Sequence, residues 1–190
     1  RKTVEKDYQA IHGKPVPADF FEKLNAEYKK VLQTEIAAID GVVDLLKTLR
    51  REGIPFAVAS NGDHVQMEAK LRATGLYDLV APHIYSKDDV TNPKPAPDVF
   101  NHAAAKLGVD PRECVVVEDS QIGMIAAAAT GGYTLGHANA AFTSNKLGAA
   151  LQKAGADEIH PSMHSIKERI FDIFDIAGPT FMKIPDFPQP

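Results

Sequence analysis

Three short stretches of this 190-residue chain hold side chains suited to binding a phosphate or the cation that accompanies it. In Ala57-Val58-Ala59-Ser60-Asn61-Gly62 a hydroxyl and an amide follow an apolar run, and a glycine allows close backbone approach. Ser60 can donate to a phosphate oxygen, and Asn61 with nearby N–H groups can orient the rest of an anion. The same pair could instead cap a helix starting at Val65. In Asn92-Pro93-Lys94-Pro95-Ala96-Pro97-Asp98 the flanking prolines stiffen the loop that presents Lys94. A rigidly held ammonium offsets charge on the equatorial oxygens of a phosphoryl group, while a solvated surface lysine is the plain alternative. In Val115-Val116-Val117-Glu118-Asp119-Ser120 two carboxylates end a wholly apolar run. They suit Mg²⁺, which takes a few carboxylate oxygens together with water and substrate phosphate. Alternatively, Asp119 or Ser120 caps the helix beginning near Gln121.

Such residues act together only if strands bring them to one edge, and in open α/β sheets ligands bind beyond the carboxyl ends of the strands. From Gly41 onward helical patterns alternate with short apolar runs, which predicts βαβ units and a parallel sheet. Helices are expected at Val42–Arg51, Val65–Ala73, Pro97–Leu107, Gln121–Thr130 and Asn145–Ala154. Strands are expected at Pro55–Ala59, Leu79–Tyr85, Cys114–Val117, Tyr133–Gly136 and Glu158–His160, with Cys114–Val117 as a buried central strand and Glu158–His160 at an edge. Residues 1–38 carry almost no strand signal. There Phe20, Phe21, Leu24, Tyr28, Val31 and Leu32 follow helical spacing, with Pro15, Pro17 and Asp19 as a start. Beyond Ile176 the chain turns proline-rich, and residues 176–190 read as a tail.

Bulk properties narrow the partners. Hydrophobic residues at 44% and charged residues at 24% describe an ordinary folded protein. A net charge of −4 argues against nucleic acid, which requires a basic face. No apolar stretch approaches the ~20 residues that cross a bilayer, so no membrane partner is expected. The lone Cys114 lies in an apolar run, which predicts a buried, inert thiol and fits a cytoplasmic setting. His160 and His164 are four apart, but Pro161 disfavours a shared helix face.

The ordered set Ser60-Asn61, Lys94 in Pro-Lys-Pro-Ala-Pro-Asp, and Glu118-Asp119-Ser120 resembles motifs two, three and four of the haloacid dehalogenase-like superfamily. The resemblance runs from about Gly41 to Met163, and Lys94–Phe100 with Glu118–Gly123 look most like the β-phosphoglucomutase-like branch. It implies an α/β fold: a Rossmann-like parallel sheet core flanked by helices, here residues 39–175, with residues 1–38 as the C-terminal part of an all-helical cap domain. It also implies Ser60 and Lys94 as catalytic groups, with Asn61 beside them on the phosphate. Asp119 would ligate Mg²⁺, with Glu118 beside it or acting through water.

The expected activity is Mg²⁺-dependent hydrolysis of a small phosphorylated metabolite, a sugar or polyol phosphate, by a monomer through an aspartyl-phosphate. A phosphomutase and a non-catalytic phosphate-binding module are the alternatives. The family's nucleophile lies in Asp-x-Asp, and no Asp-x-Asp occurs in these 190 residues. Asp88-Asp89 are adjacent and Asp172 and Asp175 are three apart, so neither pair fills that role. The expectation is that a segment carrying the nucleophile is missing before Arg1, and that the chain as written is inactive.

Overall fold

The computed structural model describes residues 2–34, 36–139 and 145–176. The expected tail falls outside the described residues from Ala177 onward. The chain divides into two compact units, Arg1–Ala37 and Ala38–Pro190.

The first unit holds helices α1 (Lys2–His12) and α2 (Phe20–Thr34). Gly13 ends α1 at φ 67°, a left-handed conformation that glycine adopts without a Cβ penalty. The Phe20 N–H bonds the Pro17 carbonyl at 3.0 Å, consistent with the start read at Pro15-Pro17-Asp19. Tyr8 meets Phe20 edge-on at 5.5 Å between ring centroids, joining the two helices.

The second unit alternates helices and strands. In order it runs α3 (Val42–Arg51), β1 (Val58–Ala59), α4 (His64–Ala73), the single turn α5 (Tyr77–Val80), β2 (Ile84–Tyr85), α6 (Asp98–Leu107), β3 (Val115–Glu118), α7 (Gln121–Ala128), β4 (Tyr133–His137), α8 (Asn145–Lys153), β5 (Glu158–His160) and α9 (Met163–Ile176). Among the described residues all strand pairings are parallel. β1 pairs with β2 in one sheet, and β3-β4-β5 form a second sheet in that order.

The alternation of side chains along each strand sorts the core into two layers. Val115 and Val117 of β3 and Leu135 of β4 pack against Leu45 and Leu49 of α3 and Met163, Ile166 and Ile170 of α9. Val116 and Ile159 face the other way, onto Met124 and Ala127 of α7 and Leu151 of α8. The alanines of α7 keep that helix close to the sheet, and Ala126 and Ala127 are wholly buried.

Four expectations need correction. β3 is not a central strand: among the described residues it pairs with β4 alone, so β4 is central and β3 is half-buried along its length. Leu79–Tyr85 is not one strand. Tyr77–Val80 makes a helical turn and only Ile84–Tyr85 joins a ladder, because Pro82 has no N–H to donate and a short apolar run suits either structure. Cys114 is half-buried, and burial pushes its thiol above the ordinary value. Finally, α9 was not expected, although Met163, Ile166 and Ile170 recur at helical spacing. His160 ends β5 and His164 lies in α9, so the two share no helix face.

On the α9 side, Glu158 accepts from the Tyr133 hydroxyl at 2.8 Å and the Arg169 Nε at 2.8 Å, and pairs with His160 Nε2 at 3.0 Å. Burial raises its proton affinity, but these partners outweigh burial and hold the carboxyl below its ordinary value of 4.5. A depressed folded value stabilises the fold above the unfolded pKa, and that contribution is lost as pH falls through the folded value. Arg169→Met should therefore narrow the difference in Tm between pH 7 and pH 3, followed by circular dichroism. Leu135 is 0% exposed, and Leu135→Ala should lower unfolding free energy in urea by about 2–5 kcal/mol.

Candidate active site

The carboxyl ends of β1 and β3 open onto a cleft of about 620 Å³ that is lined by Ser60, Asn61, Lys94, Glu118 and Asp119 among others. All five residues singled out from sequence thus meet at one place. They come from both sheets and from the loop before α6.

Lys94 is the hub. Its ammonium donates to the Ala59 carbonyl at 3.1 Å and to Glu118 Oε1 at 2.5 Å, and stands 4.2 Å from the centroid of the Phe100 ring. Its side chain is 7% exposed and that of Glu118 is 10%, so the ion pair is nearly dry. The surface-lysine alternative does not describe this residue. Asn61 holds the loop in place: its Nδ2 donates to the Lys94 carbonyl at 3.0 Å and its Oδ1 accepts from the Lys94 N–H at 2.9 Å. Both polar atoms of Asn61 are engaged with the Lys94 backbone, which makes its place in this structure a clamp on the lysine.

Glu118 is equally committed. Its Oε2 accepts from the N–H groups of Asp119 and Ser120, both at 3.0 Å, and from the Ser120 hydroxyl at 2.9 Å. The carboxylate folds back over α7, and a Cβ on Gly123 would overlap it. Asp119 differs. It is exposed, and among the described residues its carboxylate accepts no hydrogen bond.

The capping alternatives resolve onto neighbours. α4 is capped by Asp63, whose carboxylate accepts from the Gln66 N–H at 2.8 Å, leaving Ser60 and Asn61 outside the cap. α7 is capped by Ser120, whose hydroxyl accepts from the Gly123 N–H at 3.0 Å, leaving Asp119 uncommitted. Ser60 Oγ accepts from the Gly62 N–H at 3.1 Å, and its own hydroxyl proton can be directed at an anion. The capping pattern of Asp63 three residues before Gln66 was readable in the sequence, whereas the Asn61 clamp and the Gly123 approach were not, since both depend on distant partners.

This donor set fits a hard cation. Among the described residues no three His, Cys, Asp or Glu side chains gather to enclose a metal. Mg²⁺ asks for less, since one or two carboxylates plus water and substrate phosphate complete its octahedron. Asp119 supplies the open carboxylate, and Glu118 stands next to it with its oxygens already occupied.

The sequence matches the family described as haloacid dehalogenase-like hydrolase over residues 3–131. The chain belongs to this family. It is 32% identical over 132 residues to the bifunctional riboflavin kinase/FMN phosphatase of Arabidopsis thaliana, covering 68% of this chain and 33% of that protein. It is 36% identical over 107 residues to hexitol phosphatase A of Escherichia coli, covering 55% of this chain and 48% of that protein. The chain therefore spans about half or less of these curated relatives. Among solved structures, a HAD family hydrolase from Deinococcus radiodurans with bound phosphate and sodium superposes with a TM-score of 0.80 at 31% identity, covering 90% of this chain and 75% of that one. The α/β fold with parallel sheets flanked by helices is that of the family.

Removing one partner of a buried ion pair leaves the other charge uncompensated. Glu118→Ala should therefore lower unfolding free energy by about 3–5 kcal/mol in urea. Gly123→Ala should also destabilise the protein, because the carboxylate must move to admit the methyl group.

Proposed function

We propose that this chain carries the phosphate-stabilising part of a Mg²⁺-dependent phosphohydrolase acting on a small phosphorylated metabolite, a sugar or polyol phosphate. The observation that carries the proposal is the convergence of the Ser60 hydroxyl, the Lys94 ammonium and the open Asp119 carboxylate on one cleft at strand ends. That two of the similar proteins are named as phosphatases supports it.

In this reading Ser60 donates its hydroxyl proton to a non-bridging oxygen of the phosphoryl group. Lys94 balances charge at the same group, and because Asn61 and Glu118 hold it in place, no reorganisation is needed as charge develops. Asp119, with Glu118 adjacent, would hold Mg²⁺, which when bound supplies Lewis-acid stabilisation of phosphoryl oxygens. The attack on phosphorus is assigned to none of these residues, because an aspartyl-phosphate route needs a carboxylate nucleophile and no Asp-x-Asp is present in these residues. Residues 1–38 are read here as the C-terminal part of a helical cap domain and residues 39–175 as the catalytic core.

A second reading rests on the same cleft, whose Ser60 hydroxyl and Lys94 ammonium suit anion binding by themselves: a phosphate- or metabolite-binding module without turnover. The two separate on the native protein. The phosphohydrolase reading expects Mg²⁺-dependent phosphate release from a panel of sugar phosphates and an aryl phosphate, with Lys94→Met lowering kcat/KM by about 10²–10³-fold. Phosphate binding without turnover would support the binding module, and neither binding nor turnover would overturn both. A bisphosphate intermediate detected during turnover would point to a phosphomutase instead.

A further inference from the structure

We propose that His137 is a positioning residue for Asp119, its buried Nε2–H donating to one carboxylate oxygen while the other oxygen faces a cation in the cleft. This rests on the reading of Asp119 as the open metal ligand. His137 ends β4, and the last register pair between β3 and β4 is Glu118 with Gly136. One step further along the two strand directions stand Asp119 and His137. The residue is 6% exposed, and its Nε2 is fully buried with no hydrogen-bond partner among the described residues. Buried polar atoms are normally paired, so an orphan beside a candidate site calls for a partner that arrives in another state.

The neighbours leave one candidate. On the far side His137 lies in register with His160, whose own Nε2 is engaged by Glu158 Oε2 at 3.0 Å. Glu118 is occupied by Lys94 and by the Asp119 and Ser120 donors. Among the described residues flanking His137, Asp119 alone has a carboxylate that accepts no hydrogen bond. A carboxylate anchored in this way presents its second oxygen in a fixed direction, as outer-shell donors do in metal sites generally.

The test is Mg²⁺ binding by the 190-residue chain, measured by isothermal titration calorimetry, with the imidazole ¹⁵N resonances of His137 as a second readout. His137→Phe keeps the ring volume without a donor and should weaken Mg²⁺ binding by about 10–100-fold. His137→Gln, whose amide nitrogen reaches a similar place, should recover most of that loss. In an Asp119→Asn background His137→Phe should cost nothing further, and Mg²⁺ should shift the His137 Nε2 resonance only when Asp119 is present. Equal Mg²⁺ affinity in wild type and both His137 variants would overturn this inference while leaving the site reading intact. No Mg²⁺ binding by wild type would overturn the reading of Asp119 as a ligand, and this inference with it.

Discussion

The ion pair between Lys94 and Glu118 is the constraint around which the candidate site is arranged. It links a loop before α6 to the end of β3, and the same ammonium also binds the Ala59 carbonyl at the end of β1. One side chain thus ties together two sheets that share no strand-to-strand pairing among the described residues. Two charges this dry are tolerated only if every remaining donor and acceptor is met, since attraction must repay the loss of hydration. The surroundings follow from that demand. Asn61 fixes the lysine backbone, Phe100 offers its ring face, and three donors from Asp119 and Ser120 saturate the far oxygen of Glu118. Gly123 leaves the space that the folded carboxylate occupies.

A division of labour between neighbouring residues leaves Ser60 and Asp119 outside the helix caps. Helix starts need acceptors for their first N–H groups, and a carboxylate or hydroxyl engaged there is partly withdrawn from other chemistry. At α4 the demand is met by Asp63 and at α7 by Ser120. Ser60 and Asp119, one or a few residues earlier, remain available to the cleft. The adjacent carboxylates Glu118 and Asp119 therefore have opposite environments. One is internal and saturated, and the other is exposed and unpaired.

The family and the chemistry stand on different evidence. Family membership rests on the extent of the sequence match and on the fold, and folds host many activities. The proposed chemistry rests on a few side chains that meet at strand ends, Ser60, Lys94 and Asp119.

Much of the second unit was legible in the sequence because local patterns there agree with the fold. Helical spacing marked α3, α4, α6, α7 and α8. The apolar run at β3 reflected coverage of both faces, with Val115 and Val117 toward one layer and Val116 toward the other. The motif residues Ser60, Lys94, Glu118 and Asp119 were legible as types at strand ends. Their roles were not, because each depends on a partner 24 to 35 residues away or on which neighbour takes the cap. Strand centrality was equally hidden, since an apolar run shows that two faces are covered but says nothing of how many edges are paired. Nothing in the sequence relates His137 to Asp119; register sets the two side by side, one step beyond the Glu118–Gly136 pair. The sequence by itself determined most of the elements of the second unit, though not α9 or the helical turn at Tyr77–Val80, and which chemical groups end its strands. Tertiary structure decided which of those groups are consumed in holding the site together and which are left free to act.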